Sequence, residues 1–195
     1  MTETSGPSQG LHPWHLPAMR AVPALVVGLP LPFVQLHSAL VGLIALAVLL
    51  AGTAVALWLG RRLVPAAAGG WPTLVAAWSA VMAVVAAVLA VALPTETALG
   101  LAVAAWALPA GALELSGWWR MREERDARTL RLARDWRAVA VLTIVLGIVF
   151  AFTRDAVTLT GLIGAYAVIV GVYLALAALS ARPARATTEP ERSDA

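Results

Sequence analysis

Residues 38–60, SALVGLIALAVLLAGTAVALWLG, carry no formal charge over 23 consecutive positions. At 1.5 Å rise per residue, a helix of this length crosses a hydrocarbon core of about 30 Å. The rest of the chain is built to the same plan. Of 195 residues, 61% are hydrophobic and only 13% charged, and the mean hydropathy is +0.82. A soluble domain carries roughly a quarter charged residues, so this chain has too little polar surface to cover a globule in water. Its natural solvent is lipid.

Apolar runs 71–93, 97–119, 135–153 and 157–179 follow the first, separated alternately by long and very short connections. A weaker run, 17–34, precedes it and contains Pro23, Pro30 and Pro32. Taken alone, that run fits a re-entrant or interfacial segment. A shift of 60 residues brings run 37–62 onto 97–122, and a second shift brings it onto 157–182, each copy ending on an arginine, at Arg62, Arg122 and Arg182. The same register places 17–34 opposite the spans ending near Leu93 and Thr153, which makes it a sixth membrane helix. The expected fold is therefore all-α and polytopic: six transmembrane helices in three tandem hairpin repeats of about 60 residues. Residues 17–181 form the membrane domain, and 1–16 and 182–195 read as disordered tails.

In the second helix of each expected hairpin, small residues align four apart: Ala47 and Ala51, Ala107 and Gly111, Ala167 and Gly171. This spacing puts each pair on one helical face, where small side chains let backbones approach closely in lipid. Such ridges pack within one chain or between chains, so a homo-oligomer or another membrane protein stays open as a partner beside the bilayer itself.

Charge sets the expected orientation. Arg20, the Arg61/Arg62 connection, the segment Arg120–Arg137 and the Arg182/Arg185/Arg192 tail all fall on one side of a six-helix chain, against Arg154 alone on the other. The positive-inside rule then places both termini and both long connections in the cytoplasm. All 14 basic residues are arginine, the bias of a GC-rich, bacterial genome. In the segment 120–137, Arg120/Glu124, Arg122/Asp126, Glu124/Arg128 and Arg131/Asp135 stand four apart, favouring helical extensions beyond the membrane surface. The arginines drift round the helix axis, so they form no single-face nucleic-acid stripe, and no nucleic-acid module is visible. Membrane orientation accounts for the sequence pI of about 10.5.

Candidate chemistry is sparse. Glu114 is the acidic residue well inside a span, and an ionisable group there costs up to about 3 kcal/mol near the bilayer centre. It lies five residues before Trp119, roughly 7–8 Å from the expected interface. Arg137, at the start of the fifth span, is its expected partner. An interhelical clamp and a proton-responsive role are both open. Trp58, Trp118, Trp119 and Trp136 read as interfacial anchors. Trp106 and Tyr166 align deeper in the membrane, and the Tyr166 hydroxyl needs a partner such as Thr143, Thr153 or Thr160. His12 and His15 fall in the expected tail and His37 at a span edge, so no metal arrangement is seen. Without cysteine there is no disulfide or thiolate chemistry. The sequence also lacks G-x-x-x-x-G-K-[ST], H-E-x-x-H and G-x-S-x-G, so neither an enzyme nor a cofactor is indicated.

The segments TALGLAVAAWALPAGALELSGWWRMR (97–122), DWRAVAVLTIVLGIVFAF (135–152) and VTLTGLIGAYAVIVGVYLALAALSAR (157–182) resemble the HdeD-type acid-resistance membrane protein family. Gly164, Tyr166, Ala167 and Gly171, with Gly147 before them, match its hairpin pattern. Trp106, Ala107, Gly111 and Glu114 do so in the middle hairpin. The resemblance covers 71–182 better than 17–62, where the proline-rich first span departs from the pattern. It implies a bacterial inner-membrane protein linked to acid or envelope stress, with no catalytic residues to carry over. The function expected is that of a non-enzymatic membrane protein acting through its fold or partners. The alternative is a small transporter or channel subunit, proton-linked through Glu114.

Overall fold

A computed structural model describes residues 14–64, 68, 70–122 and 127–181, with backbone alone for 127–133. The described chain is all-helical: α1 (His15–Gly28), α2 (Ala39–Gly60), α3 (Trp71–Ala92), α4 (Glu96–Met121), α5 (Ala127–Phe152) and α6 (Ala156–Ser180), with short 3-10 turns at Leu31–Phe33 and Arg61–Leu63. All six segments are long and apolar enough to cross a membrane. An even number of spans puts both ends of the bundle's chain at one face, called here the terminal end; the opposite face is the turn end.

At the turn end, α2, α4 and α6 each begin with a side-chain N-cap that accepts a hydrogen bond from an otherwise orphaned backbone N–H. Ser38 Oγ accepts from Val41 N at 3.4 Å, Thr95 Oγ1 from Ala98 N at 3.2 Å, and Asp155 Oδ2 from Thr158 N at 2.8 Å. Thr158 Oγ1 also donates to Asp155 Oδ2, at 2.6 Å. These two bonds, the side-chain one foremost, hold the Asp155 carboxyl below its ordinary range. A depressed folded-state value means that the contribution to stability is present above the ordinary carboxylate range and lost as pH falls through the folded value. The melting midpoint of wild type is therefore expected to fall further on acidification than that of Asp155→Asn, which keeps the cap without the charge.

The first span differs from the expected 17–34. Helix α1 starts at His15, whose ring stacks on Trp14 at 3.8 Å, so residues 15 and 16 belong to the bundle and not to a tail. It ends at Gly28 because Pro30 and Pro32 have no N–H to continue the ladder, and a 3-10 turn takes over at Leu31. Residues 1–13 and 182–195 lie outside the described residues. In the segment 120–137, the expected helical extension is seen as α5 backbone from Ala127 onward and as α4 running to Met121, whereas Glu124 and Asp126 lie outside the described residues.

The helices close into a ring in which α6 packs back on α1. Round the ring, contact is most extensive between α2 and α3, α4 and α5, and α6 and α1, and among these neighbouring pairs least extensive between α5 and α6. Helices α2, α4 and α6 also touch one another across the centre.

The small-residue ridges serve this packing in α4 and α6. A Cβ on Gly111 would meet Ala140 O at 3.0 Å and Ile144 N at 3.2 Å, so α4 lies backbone-close to α5. Gly171 faces Leu25 of α1, and Ala107 and Ala167 are fully buried. The expected third ridge is displaced. Ala51 is exposed and Ala47 only half-buried, whereas Leu46 and Leu50, one residue earlier, are buried. The physical reason lies in the first turn: α2 is capped at Ser38, three residues past the position that matches Thr95 and Asp155, so that counted from the caps the buried Leu50 and Ala54 stand where Ala107 and Gly111 do.

Candidate functional site: a buried ion pair at an enclosed polar cavity

Arg20 lies on the α1 face that carries Leu16, Ala24 and Val27, all buried. Helix α4 presents Ala107, Ala110, Gly111, Glu114, Gly117 and Met121 inward at intervals of three and four residues. The two faces bring Arg20 Nη2 against Glu114 Oε1 in a salt bridge whose side chains are only 7% and 4% exposed. Charges withdrawn from solvent require a partner, and here each is the other's.

Aromatic side chains close the terminal-end side of the pair. The Arg20 guanidinium lies 5.9 Å from the Trp71 ring centroid, a cation–π arrangement. Trp71 packs onto Gly117 of α4, where any larger residue would displace it, and meets Trp136 edge-on at 5.1 Å. Toward the turn end, Trp106 Nε1 donates to Ser79 Oγ at 3.1 Å, and the Trp106 and Tyr166 rings form an edge pair at 6.2 Å and 79°. Thr143 Oγ1 donates to Val139 O at 2.8 Å and lies 2.8 Å from Tyr166 Oη. A hydroxyl has one proton, so Tyr166 is the donor in the second bond.

Arg20, Thr53, Trp106, Glu114, Thr143 and Tyr166 all border one small interior cavity of about 20 Å³. A single water needs about 10–15 Å³ of such space. Glu114 Oε2 is buried without a hydrogen-bond partner in the protein. The cavity thus draws polar groups from five helices to one point, Arg20 from α1, Thr53 from α2, Trp106 and Glu114 from α4, Thr143 from α5 and Tyr166 from α6, while Ser79 of α3 joins through its bond to Trp106.

Of the residues expected at a polar site, Glu114 and Tyr166 meet at this cavity and Arg137 does not. Arg137 is exposed, its guanidinium 5.5 Å from the Trp118 ring. Its neighbour Trp136 turns inward with Val139, Ala140 and Thr143 and is 4% exposed, so Trp136 is a core residue and not an interfacial anchor. Adjacent residues on a helix diverge by about 100°, which sends Arg137 outward. Trp58 and Trp119 are exposed, each with an arginine stacked on its ring, Arg61 at 4.0 Å and Arg122 at 3.8 Å. The partner that sequence reasoning missed is Arg20, taken there only as a flanking charge. Its signal was legible: a lone cation within an apolar run, at a similar distance from the terminal end as the lone acid of α4.

Elsewhere, Tyr173 Oη donates to Asp135 Oδ1 at 2.8 Å and joins α6 to α5. Arg154 Nη1 donates to Thr153 O at 2.9 Å, placing a cation at the carbonyl end of α5. Among the described residues, no three His, Asp or Glu side chains cluster so as to hold a metal ion.

The Thr143–Tyr166 bond gives a measurable step. Thr143→Val strands the Tyr166 hydroxyl in the core and is expected to lower stability by about 0.6–1.7 kcal/mol, the span observed for interhelical bonds in membranes. Tyr166→Phe leaves Thr143 bonded to Val139 O, and is expected to cost less in the same detergent-denaturation titration.

No family model matches this chain, and no curated protein or solved structure matches it.

Proposed function

We propose that this chain is a closed membrane scaffold: a non-enzymatic protein that acts through its fold and through the surfaces it offers to lipid and to partner proteins. In this reading its three hairpins are tandem repeats, with α2, α4 and α6 as equivalent inner helices. The arginine distribution sets both termini in the cytoplasm of a bacterium, and the HdeD-type resemblance supplies acid or envelope stress as the setting. One observation carries the scaffold reading: the polar cluster at its centre is enclosed. Its cavity has room for about one water. Trp71, Trp136 and Met121 fill the terminal-end side, and Leu99, Phe150 and Leu159 the turn-end side, all buried. Proton relays in transporters run along chains of ionisable groups or water-filled cavities, and here the one ion pair and its neighbouring hydroxyls are closed off at both ends by buried apolar side chains.

A second reading, a small proton-linked transporter or channel subunit, draws on Glu114 Oε2, which faces the cavity without a protein partner. One experiment separates the two. Purified protein is reconstituted into liposomes holding a pH-sensitive dye and given an acid pulse. The scaffold reading expects proton entry equal to that of empty liposomes for both wild type and Glu114→Gln. Entry above that level in wild type, abolished by Glu114→Gln, establishes the transport reading instead.

A further inference from the structure

Outside the core, helices α1 and α2 leave an open apolar groove of about 670 Å³ on the bundle's outer face. Its walls are Met19, Val22 and Val26 of α1 and Val48, Val55 and Leu59 of α2. The floor is made by small residues: Pro23 packs directly on Gly52, with exposed Ala51 beside it. Val22, Val26, Val48, Val55 and Leu59 are each at least 50% exposed, so nothing among the described residues covers the groove.

Two features identify what does. The groove runs along α2 from Val48 to Leu59, about 16 Å at 1.5 Å per residue. That is half of a 30 Å hydrocarbon core, the depth of one leaflet. At its terminal end the same face becomes basic. Val48, Val55 and Arg62 recur every seven residues, so Arg62 follows the valines on one stripe, and it is exposed, with no acidic partner among the described residues. Its neighbour Arg61 is turned to the adjoining face, against the Trp58 ring, and donates to Trp58 O at 2.6 Å. An apolar channel one leaflet deep, continued at its terminal end by an exposed arginine, has the form of a single phospholipid: acyl chain along the groove, phosphate at the arginine.

We propose that the α1/α2 groove is a binding site for one anionic phospholipid of the leaflet at the terminal end. Val22, Val26, Val48 and Val55 hold the chain, and Arg62 holds the headgroup. A second copy of this chain fits the surface less well, because a spanning helix would run the full core thickness past a groove that ends halfway, and would set its own backbone against the exposed Arg62.

Native mass spectrometry of the detergent-purified full chain, after incubation with equal amounts of phosphatidylglycerol and phosphatidylcholine of matched acyl chains, tests the site. Wild type is expected to retain one lipid per chain, with phosphatidylglycerol favoured. Arg62→Ala is expected to lower that preference about fivefold, the effect of one basic residue at an anionic surface. Ala51→Phe fills the floor from an exposed position and is expected to lower retention of both lipids about tenfold, the equivalent of two displaced methylenes. Val55→Ser places a polar group on the wall, leaves the core untouched, and gives the same reading should Ala51→Phe fail to fold. Equal retention of the two lipids by wild type overturns the proposal, as does undiminished retention in both groove variants. A lipid-free dimer that Ala51→Phe dissociates overturns it in favour of a second copy. None of these outcomes depends on proton entry at Glu114, so the scaffold reading stands or falls separately.

Discussion

Arg20→Met is expected to lower the free energy of unfolding by about 3–5 kcal/mol, because it leaves the Glu114 carboxylate buried without a counter-charge. Glu114→Leu strands Arg20 in the same way and is expected to cost a similar amount. The double variant Arg20→Met/Glu114→Leu removes both desolvation penalties and is expected to return to wild-type stability or exceed it. Arg20→Lys keeps the charge but not the planar fork that lies over Trp71, and falls between wild type and Arg20→Met. Titration of the purified protein from mild detergent into a denaturing one, followed by helix content, measures all four. The pattern matters more than any single value: two severe single variants and a mild double one mark a pair whose partners are each other's only compensation. If Arg20→Met matched wild type, the pair would be peripheral to the fold and the clamp reading of Glu114 would fail.

Gly28→Ala is expected to destabilise the bundle by about 1–3 kcal/mol, the cost of overpacking a dense interface. Its Cβ would lie 2.6 Å from Val168 N and 2.9 Å from the Ala167 carbonyl carbon. These are backbone atoms of α6, which cannot rotate aside as a flexible side chain does. The contact sits where the ring closes, so the loss is shared by every residue of the α6/α1 interface. Gly161→Ala is the control. Gly161 is exposed within α6 with no atom near its virtual Cβ, and the added methyl is expected to raise stability by about 0.5–1 kcal/mol through helix propensity. The same titration reads both, and a neutral Gly28→Ala would mean that α1 and α6 are not in close contact.

Particular residues show why some of this was legible in sequence and some was not. Runs such as 71–93 and 157–179 give their helices away, because lipid demands about twenty apolar residues whatever the neighbours do, and the observed α3 and α6 agree within a few positions. Thr95 and Asp155, 60 residues apart, both became N-caps, since capping depends on a few adjacent atoms. The ridge pairs Ala107/Gly111 and Ala167/Gly171 were found by spacing and are buried. Ala47 and Ala51 failed because the first turn carries two prolines and a 3-10 segment and delays the α2 cap by three residues, an offset invisible in composition that rotates every side chain beyond it. Trp136 and Arg137 erred together for a related reason: which of two adjacent residues faces the core is fixed by what the helix packs on.

The sequence by itself determined the solvent, the number of crossings and the spacing of turns, because these follow from local quantities: hydrophobicity summed over a span, missing N–H groups at proline, and side-chain caps. Tertiary structure alone decided that Arg20 and not Arg137 meets Glu114, that α6 returns to α1, and that Thr143 receives the Tyr166 hydroxyl proton. Each of these joins residues from separate helices, Arg20 and Glu114 standing 94 positions apart. In a chain with 61% hydrophobic residues, the hydrophobic pattern says that a helix enters the membrane but not how it is rotated or which helix stands beside it. Those choices are made by the fit of small residues and by the few polar groups that must find one another out of water.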